Sequence, residues 1–228
     1  MASSEPFSLE GIDRIPDPVA HVAAGTAPGS ATPPAEPSPT RADRQRLARV
    51  LVVAAVAWVV AVVAGCGVRP DLGRPAVLGL LAALGLTLAL GVGLVLRPRA
   101  RGLPAGVRVV QHALWVVPAI FIAGALATGV GAGDEPLAWT SMRGCLVLSN
   151  LMALGPLAAA ALLLRRSFLA AAGWRGAAVG ALAGLAGTLG VHAHCPCAEI
   201  GHLLAAHGPP IAVGAVLGGL FGLARGRV

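Results

Sequence analysis

The chain has 228 residues, of which 56% are hydrophobic and 12% charged, with a mean hydropathy of +0.79 and a net charge of +7. That is more apolar and less charged than an ordinary soluble domain, which runs at roughly 45–50% apolar and about 25% charged. All 17 basic residues are arginines scattered between apolar runs, a pattern that speaks for membrane topology and against a nucleic-acid surface.

Residues 1–45 read as a cytoplasmic, proline-rich tail. The first 40 residues hold eight prolines and several acids and no apolar h-region, so no secretory signal is expected. Residues 20–40, rich in Ala, Gly, Pro, Ser and Thr, read as a disordered or extended linker. Leu9, Ile12, Ile15 and Val19 recur at helical spacing among Glu10, Asp13 and Asp17, and Pro16 and Pro18 stop any helix near Ile15. Two readings stand: a disordered leader with accidental periodicity, or a short recognition segment that folds on a partner.

Residues 46–228 read as a six-helix transmembrane bundle. Six uncharged runs, 50–68, 75–96, 109–133, 144–164, 176–198 and 200–224, are 19, 22, 25, 21, 23 and 25 residues long, and a helix needs about 20 residues to cross the hydrocarbon core. The expected fold is therefore an all-α polytopic membrane protein with six transmembrane helices. The glycine-rich last run leaves five spans as the alternative.

The connections between the runs differ in kind. Residues 67–75 form a short polar turn stopped by Pro70 and Pro75. Residues 97–108 form an arginine patch suited to anionic lipid, and His112 and Trp115 lie near a membrane interface, the histidine satisfied by a headgroup or by backbone. Gly85, Gly91 and Gly93 in the second run, and Gly176, Gly180, Gly184 and Gly187 in the fifth, predict small faces for close helix packing.

Alternate connections carry unequal charge. The stretch 41–49 before span 1, the loops after spans 2 and 4 and the C-terminus together hold 13 arginines, whereas the other loops hold only Arg69, Arg74 and Arg143. The bias places the N and C termini in the cytoplasm. Cys66, Cys145, Cys195 and Cys197 then all fall at outer helix ends, on the oxidising side, where disulfides persist. No acidic or basic residue lies deep in a run, which disfavours pumps, ion-coupled transporters and channels. No P-loop, nucleophile elbow or paired-carboxylate arrangement is visible, so no enzyme is expected.

Residues 192–207 concentrate the chemistry, with His192, His194, Cys195, Cys197, His202 and His207 in an otherwise Ala-, Leu- and Gly-rich setting. Cysteine and histidine are readily oxidised, and thiolate character speeds the attack. This makes Cys66, Cys145, Cys195 and Cys197 the candidate sensing residues. A Cys-X-Cys does not readily close on itself, so Cys195 or Cys197 is expected to pair with Cys145 or Cys66. A second reading is a zinc or copper site of His194, Cys195, Cys197 and His202. A third is a purely stabilising disulfide with histidines wetting the loop.

An ordered set of landmarks carries a family resemblance: Val68-Arg69-Pro70-Asp71-Leu72 after span 1, Arg143-Gly144-Cys145-Leu146 opening span 4, Leu164-Arg165-Arg166 ending it, His194-Cys195-Pro196 ending span 5, and the glycine-rich stretch from Gly214 to Gly222 before Arg225. On these residues the membrane part resembles the NrsF-type six-span anti-sigma factors of proteobacteria. The resemblance implies an inner-membrane negative regulator of transcription that binds an ECF sigma factor, with membrane lipid as its surroundings, no direct contact to nucleic acid, and a membrane protease as a further partner. It implies sensing through Cys145 and Cys195, leaving Cys66 and Cys197 as extra cysteines, and sigma binding by the tail, with Phe7, Leu9, Ile12, Asp13, Ile15 and Asp17 as candidates. The Ala/Gly/Arg-rich composition is similar to that of the myxobacterial regulators of light-induced carotenoid synthesis (the CarR type), which implies CarQ as the sigma factor and light-generated singlet oxygen as the stimulus. A membrane thiol-disulfide oxidoreductase and a small transporter are the alternatives from other classes.

Overall fold

The computed structural model describes residues 41–96, 107–129, 139–165 and 171–225. The chain divides into two units, Met1–Pro39 and Thr40–Val228. The first, with the sigma-binding candidates Phe7, Leu9, Ile12, Asp13, Ile15 and Asp17, lies outside the described residues, as does most of the arginine patch at 97–108.

The second unit is helical, with no strand among the described residues. In chain order it comprises α1 Arg41–Cys66, α2 Pro75–Leu96, α3 Val107–Gly129, α4 Trp139–Arg165, α5 Ala172–His194, the short α6 Ile200–His202, a π-helical turn Leu203–His207, and α7 Pro209–Arg225. Six stretches are long and apolar enough to cross a membrane, the last running without a break from Ile200 to Arg225. The expectation of six spans holds. Pro118 and Pro156 sit inside α3 and α4, which membrane helices tolerate because neighbouring groups satisfy the freed carbonyls.

Helix ends follow local chemistry. Gly67, at φ 91°, takes the left-handed conformation that closes α1, and its N–H still donates to the Val63 carbonyl at 2.9 Å. Pro75 opens α2 at the position where its missing N–H costs nothing. Two ends depart from the uncharged runs. α1 begins at Arg41, nine residues before its run, because Arg, Ala, Leu and Gln continue a helix beyond the apolar segment. α5 stops at His194 rather than 198, because Pro196 forces Cys195 into extended backbone (φ −79°, ψ 121°).

The fifth helix is the axis of the bundle. Over its most apolar stretch 78% of α5 is buried, against 0% of α1. Its glycines make this possible. A Cβ at Gly176, Gly180 or Gly184 would collide with the carbonyl oxygens of Gly218, Gly214 and Pro210, so α5 and α7 touch backbone to backbone. Gly187 lies against Ser149 and Ala153 of α4, and Gly190 against Met152 and Val59. On α2 the expected small face is not used in this way. A Cβ added at Gly85 or Gly93 would have nothing within 4 Å, and one at Gly91 would meet only the Leu182 side chain. Large apolar side chains such as Val53, Leu86, Trp115, Val147 and Val216 remain exposed on the periphery. Such a surface suits hydrocarbon as solvent and would be an aggregation hazard in water.

Because successive spans alternate in direction, the C-terminal ends of α1, α3 and α5 meet the N-terminal ends of α2, α4 and α6 at one end of the bundle. His112 lies away from that end, its Nδ1 bonded to the Arg108 carbonyl at 2.5 Å, in line with the expectation of a backbone-satisfied histidine.

Candidate functional site

Thr188, Val191, His192 and Cys195 occupy the last two turns of α5 and its cap, three or four residues apart and so on one side of the helix. All four are buried. The Cys195 N–H donates to the Val191 carbonyl at 2.7 Å, which fixes the thiol at the helix end. Opposite it stands Cys145, one turn before Ser149 on α4. The two sulfurs are 3.3 Å apart, against about 2.05 Å for a disulfide. All four cysteines are free thiols in this structure.

After Pro196 the chain turns, and Glu199 caps α6 by accepting from the N–H groups of Gly201 and His202 at 2.8 Å each. That places His202 Nε2 3.4 Å from the Cys195 sulfur. His207 follows five residues later. In an α-helix, at 3.6 residues per turn, two such residues diverge by about 140°. Here they face the same cluster because residues 203–207 form a π-helical turn. Pro209 and Pro210 lack the N–H groups that the Ala205 and Ala206 carbonyls would otherwise meet. Ser149 Oγ instead shares its one proton between the Ala206 carbonyl and the Leu146 carbonyl of its own helix, each at 3.0 Å, and Thr188 Oγ1 donates to the His207 carbonyl at 2.6 Å. Hydroxyls from α4 and α5 thus hold the wide turn in place, as side chains do where a membrane helix departs from α geometry.

The result is a compact group of donors. The ligand atoms of Cys145, Cys195, His202 and His207 lie within 4.8 Å of one another. The His202 and His207 rings meet edge to face at 5.2 Å, and His192 approaches His207 in the same manner at 6.0 Å. His207 is completely buried, and neither of its ring nitrogens has a hydrogen-bond partner; His192 Nε2 is equally orphaned. The Cys195 thiol is held well below the ordinary thiol range, first by its hydrogen bond with Cys145 and then by that with His202, against the opposing effect of burial. An open groove lined by Leu148, Leu151, Cys145, Cys195, Cys197 and His202 leads to it, with Arg143 at its edge.

The α1–α2 loop closes this end. The Arg69 guanidinium is fully buried and grips Asp71 through two bonds of 2.6 and 2.9 Å. It also donates to the carbonyls of His192 at 3.3 Å and Pro196 at 3.1 Å, and its backbone N–H donates to the Ala193 carbonyl at 3.1 Å. A cation over the last carbonyls of α5 satisfies groups that a helix C-terminus leaves open. Arg69 holds the Asp71 carboxyl below the usual carboxylate range. His194 Nδ1 meets the Gly67 carbonyl at 2.7 Å, tying the same loop to α5.

Of the four candidate sensing cysteines, the structure brings Cys145 and Cys195 together. Cys66 is exposed at the end of α1, and Cys197 packs beside Cys195 without joining the four-atom group. Of the metal candidates, Cys195 and His202 meet, whereas His194 is engaged with Gly67 and Cys197 stands aside. Cys145 and His207 complete the group instead. Sequence reasoning missed His207, Ser149, Thr188 and the capping role of Arg69. The one available signal was Pro209-Pro210 close behind a histidine, which marks a helix that has to change its hydrogen bonding.

The Val68–Leu72, Arg143–Leu146 and His194–Pro196 landmarks all belong to this one end. No curated protein and no solved structure matches the chain. The family described as NrsF, negative regulator of sigma F, matches it over residues 32–225, a range that takes in every described helix. The chain belongs to the NrsF family of negative regulators of a sigma factor, built here as six membrane-length helices with a largely buried thiol–imidazole cluster at one end.

Proposed function

We propose that the protein is an anti-sigma factor of the bacterial inner membrane. Its termini lie in the cytoplasm, its tail within residues 1–45 holds an ECF sigma factor away from RNA polymerase, and its outer end receives the stimulus. Sequestration needs a tight interface and a tether but no turnover, so no catalysis is assigned. The arginine bias supports the orientation.

The observation that carries the stimulus reading is the 3.3 Å approach of the Cys145 and Cys195 sulfurs from separate helices, 50 residues apart. An oxidant that takes two electrons from this pair, with loss of the one proton that Cys145 donates to the Cys195 sulfur, closes a disulfide, and the sulfurs draw together by about 1.2 Å. That movement pulls α4 against α5 where Ser149 and Thr188 hold the π-helical turn. It also reaches α1, because the Trp58 indole N–H donates to the Leu151 carbonyl of α4 at 3.1 Å and its ring lies on Gly155. α1 carries the tail, so the route from thiol to sigma factor runs through two helix contacts. Light-generated singlet oxygen attacks sulfur and imidazole alike. The same cluster therefore suits a light-responsive member that controls carotenoid synthesis through CarQ.

A sigma-dependent reporter tests this. Cys145→Ser and Cys195→Ser are expected to repress normally and to lose at least most of the induction by oxidant, whereas Cys66→Ser keeps it. Normal induction in both serine variants would remove the thiol route. Deleting residues 1–40 is expected to abolish co-purification of the sigma factor. Retention would move the binding surface to the bundle's cytoplasmic loops.

A further inference from the structure

We propose that Cys145, Cys195, His202 and His207 form a closed four-ligand site for one tetrahedral zinc ion. The donor set comes from α4, the cap of α5, α6 and the π-helical turn, and its ligand atoms already lie within 4.8 Å of one another. Zinc bound at about 2.3 Å by sulfur and about 2.0–2.1 Å by nitrogen spaces its ligands roughly 3.3–3.8 Å apart. Two sulfurs take the upper end of that range, about 3.8 Å, and sulfur with nitrogen about 3.6 Å, so the Cys145–Cys195 and Cys195–His202 pairs, at 3.3 and 3.4 Å, reach zinc spacing by opening about 0.5 Å or less.

His207 supplies the independent observation. Its ring is completely buried, neither nitrogen makes a hydrogen bond of ordinary geometry, and the polar group it faces is the Cys195 sulfur. Buried polar atoms are almost always satisfied, and an orphaned imidazole aimed into a group of soft donors is what an absent ligand leaves behind. The chain departs from α geometry to aim it there. Without the π-helical turn, braced by Ser149 and Thr188, His207 would face away from His202.

The chemistry of the set selects the ion. Two thiolates and two imidazoles are soft and borderline donors in the arrangement of structural zinc sites, and they disfavour magnesium and calcium. Two thiolates also neutralise one divalent cation, so the loaded site carries no net charge at the edge of an apolar bundle, where an uncompensated charge is costly. His194 and Cys197, close in sequence, stay outside the site because the first is bonded to Gly67 and the second stands apart from the group.

The zinc site and the proposed disulfide use the same Cys145 and Cys195 sulfurs, so closing the disulfide would release the ion; the readout here is metal content rather than sigma release, so either can fail alone. The full-length chain, purified in detergent, is expected to carry one zinc per molecule. Cobalt loaded in its place should show the sulfur-to-cobalt charge-transfer band and the intense visible bands of a tetrahedral S2N2 centre. His207→Ala and Cys145→Ser should weaken cobalt binding more than about tenfold, whereas His194→Ala and Cys197→Ser leave it unchanged. X-ray absorption of the zinc-loaded wild type decides the matter even if a variant fails to fold, since it reads two sulfur and two nitrogen neighbours directly. A wild type that takes up neither zinc nor cobalt overturns the proposal. So does any other ligand set, dependence on Cys197 in place of His207, or uptake of copper(I) alone.

Discussion

The two halves of α5 use burial in opposite ways. From Gly176 to Gly184 the glycines of the helix face α7, and there the two backbones meet directly. From Thr188 to Cys195 the same helix carries a hydroxyl, an imidazole and a thiol, each buried, and its carbonyls are met by Arg69. The first half holds by shape, the second by directed polar contacts. In a membrane, where the hydrophobic effect does not drive helices together, the seam sets where α7 stands, and that fixes the frame in which the polar half can place its donors.

Substitutions can break this division. The largest effect is expected for Gly180→Leu, because even a Cβ there strikes the Gly214 carbonyl and the helices must separate. The loss should be about 3 kcal/mol or more, read as thermal unfolding in detergent. Gly85→Leu, into open space on α2, should stay within about 0.5 kcal/mol. Arg69→Ala comes next, at about 2–3 kcal/mol, since it removes charge-assisted bonds to Asp71 and to two helix-end carbonyls. Arg69→Lys should not restore it, because an ammonium lacks the planar fork. Thr188→Val and Ser149→Ala should each cost about 1–2 kcal/mol by leaving the His207 and Ala206 carbonyls unmet. Both should also spread the cluster, raising the alkylation rate of Cys195. If Thr188→Val leaves Cys195 as shielded as before, the π-helical turn is held by something other than these hydroxyls, and the polar half loses its rationale.

The smallest effect concerns acid. Arg69 lowers the Asp71 carboxyl pKa in the folded protein. This contribution to stability is full above the unfolded carboxyl value, near about 4, and is lost as pH falls through the lower folded value. Wild type should therefore lose more thermal stability than Asp71→Asn between about pH 5 and about pH 2. Equal acid sensitivity would mean that Arg69 is held by the carbonyls alone.

Much of the architecture was legible because arginines and acids bracket the apolar runs, and hydrocarbon thickness sets one length for all of them. Cys145 and Cys195 could be assigned to the same end by counting spans. Their pairing over Cys66 or Cys197 could not, since it depends on which helix faces which, and that is decided by glycines such as Gly187 meeting Ala153. His207 was hidden for a different reason. Periodicity arguments assume 3.6 residues per turn, and the residues that change the count here, Pro209 and Pro210, lie beyond the histidine they redirect. The glycines of α2 misled in the opposite sense: a small residue permits close approach but does not compel it.

No residue in the most apolar stretch of α1 is fully buried. That helix rests on α4 through Trp58 and reaches α5, the hub of the other spans, at Val59. Of the six spans it is the one whose removal would uncover the least core.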